Sequence, residues 1–487
     1  MAADTTLYRE AYRPVYHFSP AKNWTNDPNG LLYYDGEYHL FYQYNPEGIQ
    51  WGHMSWGHAV STDLLHWQHL PLALPEYNGT MVFSGSAVVD KGNTSGLCEG
   101  SGDCMVAIYT AHRENEVQTQ ALAFSSDRGR TFTRYSGNPV LDLGKKDFRD
   151  PKEFRYEPGN QWIMSVSLPN ERQIQFYASA DLKKWDLQGT FGPLGDTSRI
   201  WECPDLFPLP VAEGGQKWVL LVSGGHPVPG SFGMQYFVGD FDGRNFVPEA
   251  NTSWPKWVDY GHDYYAAVTW NDAPDGRRLM LGWANNWQYA NDIPTNPWRG
   301  MMAVPRELSL RNTPEGYRLV QQPIRELAGQ HGDAFILREF SLEGIGNTLL
   351  SNRIQGPAYE LQLELSSQDA AQYGVEVFKG AAENTRFGYD REKGVLFIDR
   401  TSGGKSDFHA NFAGRVEAPL RLTPGEKLNL QILLDHSVIE VFAQEGMVAL
   451  TQQVFPTNQE LEMHLFSDGG STMAHRIQAW PMKSVWR

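Results

Sequence analysis

The amino-acid sequence predicts an all-β protein, a five-bladed β-propeller followed by a C-terminal β-sandwich domain. Helical periodicity is almost absent from the first 320 residues or so, where a short Asp-led turn phrase recurs instead. Long strands of alternating polar and apolar residues follow from about Ser341. The predicted bounds are 1–325 for the propeller, 326–340 for a linker and 341–487 for the sandwich.

The first strands of the predicted propeller follow the stretch Asn23-Trp24-Thr25-Asn26-Asp27-Pro28-Asn29-Gly30. Proline biases Asp27 toward an extended backbone, and Asn29-Gly30 supplies turn chemistry where the next strand begins. Two aromatic-rich segments come next, and Asp35-Gly36 between them predicts a tight hairpin.

The repeated phrase consists of a strand end, a turn led by aspartate, and an aromatic residue that opens the next strand. Its copies lie at 61–67, 125–132, 179–185 and 239–246. Their spacing of roughly 55 to 65 residues fits blades of four short antiparallel strands, about five in all. Ser-x-Asp turns also occur in other all-β proteins, but four copies at near-even spacing, each with its aromatic, favour the propeller.

The C-terminal part has regular period-2 alternation with turn signals at short intervals. Clear examples are 359–365, 374–378, 395–399 and 428–434. This pattern is typical of a β-sandwich, and we expect a support domain there.

Three acids stand in aromatic, proline-stiffened settings. Asp27 and Asp150 each precede a proline, and Glu202 lies between Trp201 and Cys203-Pro204. The repeat assigns them to different blades, whose innermost strands meet around one axis, so we expect the acids to converge. Taken singly, each acid is equally consistent with an ordinary turn.

Charge and composition exclude several classes of function. The 487-residue chain has a net charge of −16, which argues against nucleic acid or an anionic membrane surface as a partner. Apolar runs of about 18 residues, Cys-x-x-Cys pairs and His-Glu-x-x-His helices are all missing from the sequence. We therefore expect no membrane span, no metal and no cofactor.

The cysteines and the N-terminus bear on localisation. Cys98 and Cys104 are close enough in sequence to close a small loop, which would leave Cys203 unpaired. The N-terminus has no hydrophobic signal core. We expect a secreted protein whose signal peptide has been removed, although a cytoplasmic protein would have the same N-terminus.

Two carboxylates on either side of a glycosidic bond can hydrolyse it by double displacement without a metal. Asp27, flanked by amides that can donate hydrogen bonds, suits the ionised attacking group. Glu202 beside Trp201 suits the proton donor, because desolvation would raise its pKa. Asp150 beside Arg149 would stay ionised, as fits a residue that binds substrate hydroxyls.

The tryptophans support a sugar substrate. Trp24, Trp51, Trp56, Trp201 and Trp287 lie in contexts rich in Gly, Asn and His. A flat aromatic face packs on the apolar face of a sugar ring while amides and acids bind its hydroxyls. At least half of these tryptophans are expected to fill space between blades instead.

These residues resemble the signature blocks of a known family, glycoside hydrolase family 32, the β-fructofuranosidases. The similar segments are Trp24-x-Asn26-Asp27-Pro28-Asn29-Gly30, Phe83-Ser84-Gly85-Ser86, Phe148-Arg149-Asp150-Pro151, Trp201-Glu202-Cys203-Pro204, Asp263-Tyr264-Tyr265-Ala266-Ala267, Gly282-Trp283-x-Asn285-Asn286-Trp287-Gln288-Tyr289 and Asp435-x-Ser437-Val438-Ile439-Glu440-Val441-Phe442. The resemblance covers nearly the whole chain, and its first four motifs occur in the family's order.

The resemblance implies a five-bladed propeller with a β-sandwich and a retaining mechanism without a metal. By the same match, Asp27 is the nucleophile, Glu202 the acid/base and Asp150 the transition-state stabiliser. It implies substrate-binding roles for Asn26, Gln43, Trp51, Ser84, Arg149, Asp263 and Trp287. Thr25 departs from the family, since many members have methionine there, and we expect it to adjust pocket shape without removing activity.

Within the family, the segments 48–58 and 283–289 are most similar to microbial exo-inulinases and levanases. We therefore expect release of terminal β-D-fructose from fructans such as levan and inulin and from sucrose-type substrates. An endo-acting fructanase and a fructosyltransferase use the same acids and stay as alternatives. A non-catalytic fructan-binding protein is a further alternative, which the presence of all three acids disfavours.

Overall fold

The computed structural model describes most of the chain. The described residues are 7–100, 102–113, 117–250, 252–342, 348–349, 354, 356, 358–380, 382–457 and 462–486. Within them, five β-sheets precede residue 324 and two larger sheets follow it. The helical elements of this part are short 3₁₀ turns at Glu157–Gly159, Pro169–Glu171, Pro274–Gly276 and Arg325–Gln330.

The first two blades consist of eight strands in sequence order. Blade one contains β1 (Asn23–Tyr34), β2 (Glu37–Asn45), β3 (Ser55–Ser61) and β4 (Gln68–Leu74). Blade two contains β5 (Thr80–Asp90), β6 (Cys104–Arg113), β7 (Gln118–Ser125) and β8 (Thr133–Arg134). Within each of these blades, each strand pairs antiparallel with the next.

The other three blades follow the same plan with additions. Blade three contains β9 (Arg149–Tyr156), β10 (Gln161–Leu168), β11 (Gln173–Ser179) and β12 (Asp186–Phe191). Blade four contains β13 (Glu202–Pro210), β14 (Gln216–Gly224), β15 (Gly233–Phe241), β16 (Phe246–Pro248) and β17 (Lys256–Trp257). Blade five contains β18 (Tyr265–Thr269), β19 (Leu279–Trp283), β21 (Arg306–Thr313) and β22 (Gly316–Pro323), whereas β20 (Trp298–Arg299) pairs parallel with β1.

The predicted Asp-led turns connect the third and fourth strands of blades one to four. Their aspartates are Asp63, Asp127, Asp181 and Asp242. In each turn the carboxylate accepts hydrogen bonds of 2.7–3.0 Å from backbone N–H groups two to four residues later. The repeat read from the sequence is therefore a repeated local hydrogen-bond pattern.

The innermost strands of the five blades form a closed ring. β1 contacts β5, β5 contacts β9, β9 contacts β13, β13 contacts β18, and β18 contacts β1. A closed ring of this kind brings the first residues of widely separated strands to one end of a common axis.

The C-terminal domain packs two six-stranded sheets face to face. One has the order β23 (Phe335–Leu342), β34 (Thr472–Pro481), β25 (Tyr359–Ser366), β30 (Leu428–Asp435), β31 (Val438–Ala443) and β32 (Val448–Gln453). The other has the order β24 (Thr348–Leu349), β33 (His464–Asp468), β26 (Gln372–Val377), β27 (Thr385–Asp390), β28 (Val395–Asp399) and β29 (Arg415–Pro419).

The sandwich core comes from the inward positions of both sheets, with Leu361, Val375, Phe387 and Ile432 among its buried residues. This is the alternation that the sequence predicts. β23 begins inside the segment 326–340 that the sequence assigns to a linker, and the division of the chain at 325 and 341 stays a prediction. Within the described residues, no helix is long and apolar enough to cross a membrane.

Buried ion pairs join the propeller to the sandwich. Arg306 of blade five donates to Glu440 (2.7 Å) and Asp259 (3.0 Å), and Glu440 also accepts from His17 (3.0 Å). All of these side chains are 0–1% exposed. The ion pairs offset the desolvation cost of burying these charges. They also fix how the two domains contact each other.

Candidate active site

A cavity of about 350 Å³ lies at one end of the propeller axis. Asp27 is on β1, Asp150 is the second residue of β9 and Glu202 is the first residue of β13. The three acids of blades one, three and four therefore meet in one cavity. Its walls comprise Asn26, Asp27, Gln43, Trp51, Phe83, Ser84, His112, Gln118, Asp147, Arg149, Asp150, Glu202 and Trp287.

Irregular backbone at the start of these strands aims the acids at the axis. Asp150 has φ 65° and Cys203 has φ 47°, both in the left-handed region. The strand registers shift at the same places, between the pairs of Ser165 and Ser167 in blade three and those of Glu202 and Asp205 in blade four. Bulges of this type redirect side chains and are frequent next to active sites.

Asp27 is held by hydrogen bonds to both of its oxygens. Ser84 Oγ donates to Oδ2 (2.6 Å) and Asn26 Nδ2 donates to Oδ1 (3.0 Å). Burial raises the pKa of Asp27 above its usual value, and nearby Glu202 raises it further, while the hydrogen bonds lower it. The carboxylate is thus oriented by the protein and poorly solvated, as suits an attacking group.

Asp150 lies next to the same sulfur as Asp27. Cys203 Sγ is 3.5 Å from Asp150 Oδ2 and 3.7 Å from Asp27 Oδ2, and the Cys203 amide donates to Asp150 Oδ2 (2.9 Å). Burial raises the pKa of Asp150 to about 7; Arg149 opposes this shift, and Glu202 and Asp27 add to it. Two like charges close by disfavour a third ionised carboxylate.

The expectation that Arg149 sets the pKa of Asp150 is therefore wrong: burial raises this pKa by more than Arg149 lowers it. The Arg149 guanidinium donates to Glu202 Oε1 through Nη2 (2.9 Å) and Nε (3.1 Å), and to Asp147 Oδ1 through Nη1 (2.8 Å). The bulge at Asp150 turns the two neighbouring side chains in different directions, so adjacency in sequence does not predict the partner.

Glu202 is positioned by a cation and a phenol. The Arg149 guanidinium donates to Oε1 of Glu202, and the Tyr265 hydroxyl donates to Oε2 (2.7 Å). The expectation that Trp201 desolvates Glu202 is wrong as well. Trp201 packs between blades, with ring centroids 6.2 Å from Phe191 and 6.0 Å from Phe237, and does not line the cavity.

Six of the seven substrate-binding residues named from the sequence line the cavity: Asn26, Gln43, Trp51, Ser84, Arg149 and Trp287. Trp51 is 40% exposed at its mouth. Trp287 packs against Trp283 and Trp24, with ring centroids 4.8 and 6.0 Å away. The cavity therefore combines aromatic faces with amide, hydroxyl, guanidinium and carboxylate groups, which is the chemistry that a sugar ring requires.

Asp263, the seventh, lies outside the cavity, and its predicted contact with substrate is wrong. It is fully buried, and Oδ1 accepts from Tyr289 (2.6 Å) while Oδ2 accepts from Arg400 (2.6 Å) and the Gln453 amide (2.8 Å). The next bulge is at Ala266, with φ 53°. It directs Tyr265 to Glu202 and leaves Asp263 facing the sandwich domain.

Several residues of the site were not named from the sequence. They are Phe83, His112, Gln118, Asp147, Cys203 and Tyr265. Phe83 and Cys203 belong to the recognised motifs, but neither is a carboxylate or an obvious sugar-binding residue. Gln118 and Asp147 belong to the site because they accept hydrogen bonds from Arg149 (3.2 and 2.8 Å). Among the described residues, no group of three or more His, Cys, Asp or Glu could hold a metal ion.

Comparison with known proteins gives the family. Residues 17–323 match the N-terminal domain of glycosyl hydrolases family 32, and residues 336–481 match its C-terminal domain. The chain belongs to glycoside hydrolase family 32. The family named from the motifs is thus confirmed.

Several family 32 proteins resemble this chain over nearly its full length. A levanase of Bacillus subtilis is 47% identical, covering 100% of this chain and 72% of that protein. An extracellular exo-inulinase of Aspergillus niger is 39% identical, covering 98% and 96%.

Solved family 32 structures share the fold. The crystal structure of an exo-inulinase from Aspergillus awamori superposes with a TM-score of 0.91 at 36% identity, covering 98% of this chain and 100% of that one. A fructofuranosidase from Schwanniomyces occidentalis complexed with fructose gives 0.88 at 32% identity, covering 99% and 100%. The predicted propeller and sandwich are thereby confirmed.

Proposed function

We propose that this family 32 chain is a retaining exo-β-fructosidase that releases terminal fructose from levan, inulin and sucrose-type substrates. The convergence of Asp27, Asp150 and Glu202 in one cavity carries this proposal. The similarity to a levanase and to exo-inulinases supports the choice of fructans as substrate class.

The proposed reaction is a double displacement. Asp27 attacks the anomeric carbon of the terminal fructose while Glu202 gives a proton to the leaving oxygen. Glu202 then removes a proton from a water molecule, which attacks the same carbon. The bond to Asp27 breaks and fructose is released. Asp150 binds fructose hydroxyls; with its pKa raised to about 7, it is able to donate as well as accept a hydrogen bond.

The cavity is closed below the acids, where a space of only about 10 Å³ is lined by residues that include Pro28, Pro151 and Pro204. A fructan chain therefore enters from the mouth and does not pass through the propeller. The similarity to exo-inulinases supports exo-action over endo-action.

Two observations favour an extracellular location. Cys98 and Cys104 form a disulfide, which is typical of oxidising compartments, and the Aspergillus exo-inulinase is described as extracellular. We propose that this chain is secreted.

The test of function is fructose release from sucrose, inulin and levan by Asp27→Asn and Glu202→Ala variants. We expect Asp27→Asn to lose on the order of 10⁴-fold or more in kcat, as nucleophile removal does elsewhere. Glu202→Ala should slow both steps. Asp240→Asn, an exposed carboxylate on blade four, is the matched control. Variants at Asp27 or Glu202 that fold normally and keep most activity would refute the role assignment.

Product analysis tests the mode of attack. An exo-hydrolase yields fructose as the first and main product from levan and inulin. Early accumulation of oligosaccharides would identify an endo-acting enzyme, and growth of sucrose into longer chains would identify a transferase.

A further inference from the structure

A second cavity, of about 500 Å³, lies at the opposite end of the propeller. β9 and β13 run from one cavity to the other: Asp150 is the second residue of β9 and Glu202 the first of β13, whereas Tyr156 and Phe207 line the far cavity. The five or six residues between them correspond to roughly 17–20 Å of strand. Among the described residues, the two cavities share no lining side chain, so this is a separate site.

Aromatic rings form one wall of this far cavity. Phe154, Tyr156 and Trp218 are each half-buried, and the Trp218 ring centroid lies 5.6 Å from that of Phe154 and 6.0 Å from that of Tyr156. The three rings are on neighbouring blades three and four. They give a partly exposed aromatic surface of the kind that packs on a sugar ring.

Arg278 supplies hydrogen-bond donors opposite this wall. Its guanidinium reaches Thr269 Oγ1 (3.4 Å) and the Trp270 carbonyl (3.5 Å) through Nη1, both at the long end of hydrogen bonding. In the described part of the chain, no carboxylate lies within ion-pair distance of Arg278, although the carboxylates of Asp205 and Asp272 also line the cavity. The guanidinium also lies over the Phe207 ring (5.1 Å), and its remaining N–H groups can donate to hydroxyl oxygens.

The charges around the far cavity balance. The described lining residues include three cations and three acids: Lys91, Arg155, Arg278, Glu157, Asp205 and Asp272. A net excess of either sign would favour an ionic ligand, and its absence among these residues favours a neutral polar one. The volume is within the range of about 300–1,000 Å³ typical of small-molecule sites.

We propose that this far cavity is a second carbohydrate-binding site, which holds a segment of a neutral sugar chain away from the catalytic cavity. The aromatic wall would take the apolar face of a ring, and Arg278 and Asp272 would bind its hydroxyls. That the chain is a fructan rests on the proposed function. Holding a polymer at this site raises the local concentration of chain ends around the enzyme.

Binding to a catalytically inactive protein tests the proposal. In an Asp27→Asn background, an inulin-type oligosaccharide and a glucose oligosaccharide of similar length are titrated by calorimetry. We expect two classes of site for the fructan. Trp218→Ala or Arg278→Gln should weaken one class by about tenfold or more, which is about 1.4 kcal/mol, and Trp287→Ala should weaken the other.

Trp254→Ala is the matched control, because Trp254 is also a half-buried tryptophan of the same blade region, packed on Phe237 (5.0 Å) and outside both cavities. It should change neither class. In the active protein, Trp218→Ala should raise KM for polymeric inulin and leave sucrose hydrolysis unchanged, which also verifies its folding.

The outcomes separate this proposal from the proposed function. A single class of site that Trp287→Ala removes, and that Trp218→Ala and Arg278→Gln leave intact, would overturn the second site. Trp218-dependent binding of the glucose oligosaccharide, together with no hydrolysis of fructans by the unmodified protein, would keep a carbohydrate site here and refute the fructan assignment.

Discussion

Replacing Asp150 by asparagine is expected to abolish catalysis and yet stabilise the protein above neutral pH. Asp150 is 5% exposed, and Cys203 is the described residue that donates to its carboxylate through a backbone amide. Asparagine keeps an oxygen that accepts this bond, and it carries no charge. The substitution therefore removes the cost of burying a carboxylate near Asp27 and Glu202 without removing the hydrogen bond.

The size of the effect follows from the pKa. The pKa of Asp150 rises from 3.8 to about 7 on folding, so between these values the folded chain holds a proton that the unfolded chain releases. Stability from this group is fully present below the unfolded pKa and is lost as the pH rises through about 7. At about 1.4 kcal/mol per pKa unit, the lost stability at pH 8 is on the order of a few kcal/mol, and Asp150→Asn should recover a large part of it.

Urea denaturation at about pH 4 and pH 8, followed by tryptophan fluorescence, measures this difference. The variant should unfold at higher urea than the parent at pH 8 and at nearly the same urea at pH 4. Asp263→Asn is the contrasting control: its carboxylate is paired with Arg400, so the change should destabilise at both pH values. Equal effects of Asp150→Asn at both pH values, or destabilisation at pH 8, would show that the pKa of Asp150 is not raised on folding.

Two further predictions concern the buried contacts between the domains. Arg400→Met leaves Asp263 buried without its cation and should cost about 3–5 kcal/mol of unfolding free energy. It should also raise KM, because Arg400 and Asp263 hold Tyr289, which is two residues from Trp287 in the cavity. An unchanged KM would contradict this anchoring. Burial lowers the pKa of His17, but the two carboxylates bonded to it outweigh burial and raise the pKa to about 9. The contribution of His17 to stability should therefore be complete below about pH 6.5 and be lost as the pH rises through about 9. His17→Gln should flatten this fall in thermal melts, and an identical slope in the variant would exclude His17 as its source.

Features governed by local interactions could be predicted from the sequence. The turns at Asp63, Asp127 and Asp181 need only a carboxylate and the next few amides, so they recur as readable phrases. The Asp35-Gly36 hairpin is equally local: both residues have positive φ, 49° and 84°, as a two-residue turn requires. The sandwich strands follow from alternation alone.

The fifth blade could not be predicted from the repeat. It has no Asp-led phrase; its last two strands are joined by a short hairpin in which Thr313 pairs with Gly316. The parallel strand β20 contributes only Trp298 and Arg299 to blade one. Two-residue pairings between distant segments leave no periodic signal in a sequence.

The site could be predicted as a set of acids but not as a set of contacts. Bulges at Asp150, Cys203 and Ala266 break the alternation that assigns side chains to faces. The partner of Asp263 is Arg400, 137 residues later in the other domain. Such pairings depend on how blades and domains pack, which the local sequence does not contain.

In the proposed mechanism, Asp27 becomes covalently attached to fructose while Glu202 transfers the proton. The direct measurement is peptide mass spectrometry of the Glu202→Ala variant after brief incubation with a fructoside whose acidic leaving group departs without a proton donor. The peptide containing Asp27 should gain the mass of one fructosyl unit, and the Asp27→Asn, Glu202→Ala double variant should gain none. An adduct on another residue, or turnover that inverts the anomeric centre without any adduct, would exclude Asp27 as the nucleophile.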